Sequence, residues 1–300
     1  MRERGRLFRV LVWIAMLLAA LLLPGVALAG QLKIATWNLN WLTDRPAGDP
    51  DLPADVHVRG AEDFDRLRQY AAQLNADVIA IQEVDGRAVA ARLFPPDRYS
   101  IHMTHDRVVQ RVGIVVRRGI AYDVNPDVTA LDVDPRERLR SGADITLHLG
   151  TARLRLLAVH LKTGCHEASL YRHPRRSCVE LRAQIRPLQA WIAARQQEGV
   201  PFLVLGDFNR DMDGRDQLWT ALLRTAPLLR ATEGHSSACW GGGSFIDHII
   251  AGGPARNWMQ VSTLAELTYR ETGEQWKDRL SDHCPVSVLL QVPDQGDAQQ

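Results

Sequence analysis

The sequence is short of extremes, and each shortage removes a class of reading. Four cysteines occur in 300 residues, none spaced as Cys-x2-Cys, so the usual ligand spacing of a zinc site is missing. Neither sign of charge dominates: 36 Lys and Arg stand against 35 Asp and Glu, for a formal net charge of +1. That balance carries no footprint of non-specific nucleic-acid binding, yet it does not exclude an enzyme that needs only a local basic surface. No internal repeat or low-complexity tract occurs, and no linker divides the middle of the chain. One domain is therefore expected over residues 30–293, followed by a polar tail at 294–300. What is present, 46% hydrophobic and 24% charged residues, is ordinary for a globular protein.

The one long apolar run lies at the N-terminus. Arg2, Arg4, Arg6 and Arg9 form a basic start, residues 10–23 are unbroken apolar, and Ala27-Leu28-Ala29 offers small residues for cleavage before Gly30. Residues 1–29 thus read as a cleaved secretory signal. The competing reading is an uncleaved anchor, since the apolar stretch through Ala29 just spans a bilayer if Pro24-Gly25 is tolerated. No cysteine follows the run, so a lipoprotein start is not expected. After cleavage no membrane span remains, and a secreted or periplasmic monomer is expected. The leader's four arginines less Glu3 amount to +3, leaving 1 − 3 = −2 on the remainder.

Export makes the four cysteines readable as disulfides. Three pairings are open. The preferred one joins Cys165 to Cys178, closing a short polar loop worth ~3 kcal/mol, and leaves Cys239 with Cys284. The second bridge would tie the segment before Asp247 to the residue after His283.

Beyond Gly30, strand-like and helix-like segments alternate. Residues 32–37 predict a buried strand, 43–60 a long Pro, Asp and Gly-rich loop, and 61–74 a helix with Phe64, Leu67, Ala71 and Leu74 on one face. Further strands are predicted at 77–81, 113–116, 154–159, 202–205, 245–250 and 285–292. The longest helix candidate is 179–197, with Leu181, Ile185, Leu188, Trp191 and Ile192 forming its apolar face. The pattern predicts two layered sheets covered by helices.

Polar clusters sit where the apolar runs end: Asn38, Glu83, His160, Asp207 with Asn209, Asp247, and Asp282 with His283. Taken singly, each has a plain structural reading as a turn former, cap or solvated strand end. Together they carry a chemistry. Glu83 and Asp282 offer hard anionic oxygens of the kind that suit Mg2+ or Mn2+. Asn38 and Asn209 can donate to phosphate oxygens or coordinate without adding charge. His160 and His283 are candidates for proton transfer, and Asp207 and Asp247 for orienting a histidine or a water. Asp207 and Asn209, two apart, project the same way, and Gly206 permits close backbone approach.

In this order the stations make the sequence resemble the endonuclease/exonuclease/phosphatase superfamily, the DNase I-like fold. The resemblance runs from about Leu32 to Leu290. It implies an α/β protein built as a four-layer α/β/β/α sandwich with the catalytic groups along one edge of the two sheets. It also implies roles: Glu83, with Asn38 and Asp282, would hold the divalent metal. Asp207 would position or deprotonate the attacking water, and Asn209 would bind the phosphate. His283, oriented by Asp247, would be the general base or a phosphate contact, and His160 would stabilise the leaving side.

The resemblance leaves the substrate open, because loops decide it. A metal-dependent nuclease acting on DNA or RNA is the first expectation, and the basic segment carrying Arg172, Arg175 and Arg176 is its candidate phosphate-backbone surface. A phospholipase C of the sphingomyelinase type is the second. It would want an exposed apolar hairpin, and residues 238–243 offer a single aromatic, Trp240. A silent binding module is the third, weakened because no station carries an inert residue.

Overall fold

Two β-α-β units, one in each of two sheets, carry the architecture of the computed structural model, which describes residues 30–293. The signal read at 1–29 and the tail at 294–300 lie outside the described residues. In the first unit β1 (Gln31–Leu42), α1 (Ala61–Leu74) and β2 (Val78–Val84) follow one another, and the strands pair in parallel from Ile34↔Val78 to Asn38↔Gln82. There follow α2 (Arg87–Ala90), β3 (Tyr99–Met103), β4 (Arg111–Arg117), β5 (Ala121–Val124) and β6 (Ala143–Leu149). The second unit is β7 (Ala152–His160), α3 (Arg176–Glu198) and β8 (Phe202–Asp207), parallel from Arg155↔Phe202 to His160↔Asp207. The chain ends with α4 (Gln217–Leu223), β9 (Leu228–Arg230), the short β10 (Ser236–Ser237) and β11 (Gly243–Ser244), β12 (Asp247–Gly252), α5 (Ala255–Trp258), β13 (Met259–Glu266), α6 (Gln275–Arg279) and β14 (Val286–Gln291).

The two main sheets have six strands each, in the orders β13-β14-β1-β2-β4-β3 and β5-β6-β7-β8-β12-β9. Three apolar layers separate four layers of structure. Ile34, Ala80, Ile114, Leu156, Leu205 and Ile249 are among the side chains filling the space between the sheets. Trp37, Ile79 and Ile81 pack on the Phe64, Leu67 and Leu74 face of α1. Val204 and Phe202 meet Leu181, Leu188 and Trp191 of α3. The helices form where the spacing predicts them. α1 begins at Gly60, whose N–H is accepted by Asp63 Oδ2 at 3.0 Å, and stops at Asn75 in the left-handed region.

Because β1 and β2, and likewise β7 and β8, are parallel and buried on both faces, their runs read as near-continuous apolar sequence. Their C-terminal ends, together with the start of β12 and the approach to β14, fall on one edge of the sandwich. Gly206 makes the second half of that edge tight: at φ +143°, a Cβ there would lie 2.0 Å from the Val159 carbonyl oxygen. Both disulfides form in the preferred pairing, Cys165–Cys178 and Cys239–Cys284, as an oxidising compartment allows. Among the described residues no helix is long and apolar enough to cross a membrane.

Candidate functional site

A cleft of about 620 Å³ opens at that edge, and Glu83, Asp207, Asn209, Asp247, Asp282 and His283 all line it. Strand register explains the convergence. In the second sheet His160 pairs with Asp207, and Asp207 pairs with Asp247, so three stations lie in one row across β7, β8 and β12. Asn38 and Glu83 come from the facing sheet, at the ends of β1 and β2, where the β1–β2 pairing slips between Asn38 and Leu42.

Asn38 joins the two halves. It is buried, and its Nδ2 donates to Glu83 Oε1 at 3.1 Å and to Asp207 Oδ2 at 3.0 Å, while its Oδ1 accepts the Asn40 N–H at 2.9 Å. The amide is thus a neutral bridge between two carboxylates. Glu83 Oε2 accepts from the Trp41 N–H at 3.2 Å and from Gln110 Nε2 at 2.5 Å. Asn40, Trp41, Glu83 and Asn209 all adopt positive φ, between 42° and 60°, a conformation that non-glycine residues hold only where surroundings over-determine it. Arg59 supplies part of that determination. Its buried guanidinium donates to the carbonyls of Leu39, Asn40, Trp41, Arg279 and Leu280, tying the end of β1 to the segment before Asp282.

His283 Nδ1 lies 2.6 Å from Asp247 Oδ2, and its Nε2 lies 3.8 Å from Asp207 Oδ2 and 3.9 Å from Asp282 Oδ1. Burial works against a charged ring, but Asp247 and Asp207 outweigh it and hold His283 well above its ordinary value. The backbone around it is fixed as well. Its N–H donates to Ser281 Oγ, and its carbonyl accepts the Tyr269 hydroxyl at 2.8 Å. Asp207 is pushed up to about 7 by burial, with His283 opposing the rise and Asp247 adding to it. Its oxygens accept the Asn209 N–H at 2.7 Å and Asn209 Nδ2 at 2.9 Å.

His160 lies behind the carboxylates rather than on the cleft surface. Its side chain is 2% exposed, with Nε2 3.5 Å from Asp207 Oδ2 and 3.6 Å from Glu83 Oε1. Burial, then the charges of Arg140 and His283, hold it well below its ordinary value and hence neutral. Asp282, by contrast, is half exposed at the mouth. The three loop arginines part company. Arg176 pairs with Glu180 at 2.6 Å and Asp134 at 3.5 Å and lines a neighbouring groove, whereas Arg172 and Arg175 are exposed and line neither cavity.

That groove, about 490 Å³, is lined by Arg136, Arg138, Arg140, Lys162 and Arg176 and meets the cleft at Gln110 and Thr163. Sequence reasoning singled out Arg176 but missed the other four cations, which lie on two segments. It also missed Gln110, which carries no motif, and His166, which lines the cleft beside Asn209. The position of His166 directly after the predicted staple residue Cys165 was the available signal.

The cleft carries five carboxylates and no Lys or Arg among its lining residues, and Asp247 Oδ1 is buried without a hydrogen-bond partner. Asp207, Asp247 and His283 bring one ligand atom each within 4.8 Å of one another. The carboxylates of this lining fit a divalent cation, and an excess of negative charge in the cleft calls for one.

The fold has many solved counterparts. TDP2 from C. elegans is 17% identical with a TM-score of 0.59, over 90% of this chain and 78% of that one. D. rerio TDP2, solved with a single-strand DNA product, is 14% identical with a TM-score of 0.57, over 87% and 98%. An AP endonuclease from Archaeoglobus fulgidus is 14% identical with a TM-score of 0.58, over 87% and 100%. At these identities the likeness is one of fold, DNase I-like as the sequence predicts. No curated protein sequence matches the chain. The Endonuclease/Exonuclease/phosphatase family matches residues 35–283, a span holding every station from Asn38 to His283, and the chain belongs to that family.

Proposed function

We propose that the protein is an exported, Mg2+-dependent phosphodiesterase that hydrolyses nucleic acid. The observation that carries this reading is geometric: in one acidic cleft His283 meets Asp247 at 2.6 Å through Nδ1 and turns Nε2 toward Asp207 at 3.8 Å. Asp207, pushed up to about 7 by burial, is matched to accept a proton from an attacking water near neutral pH. His283, kept charged by Asp247 and Asp207, donates to a phosphate oxygen as charge builds up there. Asn38 keeps Glu83 and Asp207 apart without adding charge. His160, neutral behind them, orients both carboxylates. Asn209 spends its Nδ2 on Asp207 Oδ2 and the Leu161 carbonyl, so its first task is to aim Asp207, and a phosphate contact requires one of those bonds to open. Glu83 and Asp282, with Asn38 beside them, would hold Mg2+ or Mn2+, which when bound supplies positive charge to the phosphate oxygens.

A polyanionic substrate is supported by the basic groove that continues from the cleft at Gln110 and Thr163. D. rerio TDP2, of the same fold, is solved with a single-strand DNA product. A lipid substrate has less in its favour. Trp240, the aromatic of the 238–243 loop, stacks on Tyr269 and donates to the Ser281 carbonyl, so it is not free to enter a bilayer.

The test is hydrolysis of plasmid DNA, RNA and sphingomyelin with Mg2+ or EDTA. Nucleic-acid cleavage abolished by EDTA and by Glu83→Gln is expected, and His283→Ala should cost on the order of 10²–10⁴ in rate. Sphingomyelin turnover without nucleic-acid cleavage would sink the proposal.

A further inference from the structure

A second cluster of metal-ligating side chains stands apart from the cleft, where the outer strand of the first sheet meets the chain leaving β5. His102 is on β3, Thr104 and His105 follow it, and Asp127 lies just beyond β5. The Asp127 carboxylate lies between the two imidazoles. Its Oδ2 accepts the His105 N–H at 2.9 Å and sits 2.8 Å from His105 Nδ1. Its Oδ1 faces His102 Nε2 at 3.5 Å. His102 is 9% exposed and the Asp127 side chain 7%, whereas the His105 side chain is 84% exposed.

Three buried atoms here have no hydrogen-bond partner among the described residues: His102 Nε2, Asp127 Oδ1 and Thr104 Oγ1. Buried polar atoms are almost always satisfied, so three together need an explanation. A separation of 3.5 Å is longer than the usual ~2.9 Å of an N–H···O bond. It does match the spacing of two ligands on one tetrahedral centre, roughly 3.3–3.5 Å for metal bonds near 2.0–2.2 Å. The exposed His105 ring spends Nδ1 on Asp127, and rotation of that side chain is needed to bring a ring nitrogen to the same point.

We propose that His102, Asp127 and His105 form a second cation site, structural rather than catalytic, that takes Zn2+ or a similar transition metal. Two imidazoles and one carboxylate are the ligands such ions favour, whereas the oxygen-lined cleft suits Mg2+. Thr104 Oγ1 or a water completes the set. The site joins the edges of the two sheets and braces the loop that leads to Gln110, which bonds Glu83. Asp106 in the same loop accepts the N–H and hydroxyl of Ser141, next to Arg140.

The experiment titrates ZnCl2 into the chelator-stripped protein in excess Mg2+, reading stoichiometry by calorimetry and thermal midpoint by scanning. It is repeated in His105→Ala, Asp127→Asn and, to remove the imidazole of the cleft, His283→Ala. Binding of one Zn2+ with a raised midpoint is expected in the wild type and in His283→Ala. Affinity should fall at least tenfold in His105→Ala, an exposed position whose loss leaves the fold intact, and in Asp127→Asn. Equal zinc affinity and equal midpoint shifts in all four proteins would overturn the proposal. So would zinc binding lost only with His283, or no zinc binding at all, which would leave a water-filled polar pocket.

Discussion

Replacing Asn38 by aspartate would change one atom and invert the electrostatics of the site. The amide Nδ2 now donates to Glu83 Oε1 at 3.1 Å and to Asp207 Oδ2 at 3.0 Å. A carboxylate oxygen in its place would face two others at those distances. At an effective dielectric of about 20, each such contact between full charges amounts to roughly 5 kcal/mol. The protein avoids most of that by keeping one carboxyl protonated. Holding an Asp with an ordinary pKa near 3.9 protonated at pH 7 costs about 1.36 kcal/mol per unit, so about 4 kcal/mol in all. Because the folded-state pKa of the new carboxyl lies above its unfolded value, the unfolded state releases the proton first. The penalty is therefore absent below about pH 4 and grows as pH rises. Thermal unfolding in EDTA should show Asn38→Asp some 10 °C below wild type at pH 7, taking roughly 2–4 °C per kcal/mol for a chain of this size. The gap should narrow toward pH 4 and narrow again at pH 7 on adding Mg2+. Asn38→Ala loses the bridge without adding charge and should show a smaller pH dependence, since the lost bond helps keep Asp207 ionised. An Asn38→Asp protein as stable as wild type at pH 7 in EDTA would refute the bridging role.

Three further outcomes follow from the geometry. His248 is buried between Thr232 Oγ1 and the Arg210 carbonyl, and burial pushes it down to about 3; since the unfolded chain binds its proton near pH 6.5, stability should fall as pH drops from 6.5 toward 3, at up to ~1.4 kcal/mol per unit, and His248→Gln should flatten that slope in denaturant titrations. Gly206→Ala would put a Cβ 2.0 Å from the Val159 carbonyl oxygen; the expected loss is roughly 3 kcal/mol or more, and an unchanged urea midpoint would contradict the close approach. Removing Cys165–Cys178 by paired serines should cost about 3 kcal/mol and removing Cys239–Cys284 about 4, but kcat should fall further in the second, because Cys284 follows His283 directly; equal kcat in the two variants would argue against that coupling.

What the sequence made legible follows burial, except that β6 is mostly buried and was not read as a strand. β1, β2, β7, β8, β12 and β14 are strands with mostly buried side chains, and all were readable as apolar runs with a polar station at or near one end. Both long helices were readable because Phe64, Leu67 and Leu74, and Leu181, Leu188 and Ile192, repeat with the helical period. The outer strands β3, β5 and β13 were not. Their residues alternate or face solvent, as in Ala121–Val124, where no side chain is buried, and it is pairing with a neighbour that makes such segments strands. The site was legible as a set of residues in order, because a carboxylate or amide at a buried strand end is conspicuous. Geometry within the set was not. Nothing in Thr36-Trp37-Asn38 says that the amide nitrogen, not the oxygen, meets two carboxylates, and nothing in His160-Leu161 says that the ring lies behind Asp207.

That hidden geometry has a common cause. Four residues at the cleft, Asn40, Trp41, Glu83 and Asn209, hold positive φ, each at a cost of order 1–3 kcal/mol; the first three lie where the β1–β2 pairing slips, between Asn38↔Gln82 and Leu42↔Val84, and Asn209 follows the end of β8. The tethers are arranged around them: Arg59 on five carbonyls, Ser281 Oγ on the Asn38 carbonyl, Trp41 N–H and Gln110 on Glu83, and Asn209 N–H on Asp207. A strained strand end needs such partners from distant segments, so it forms only once both sheets are in place. Glu83 is thus held by neutral amides and a backbone N–H rather than by lysine or arginine, while the His283 imidazolium faces Asp207 and Asp247. A site neutralised by cationic side chains would lose its affinity for a divalent ion. Glu83, held by uncharged donors, keeps its negative charge for the metal and its rigidity without it.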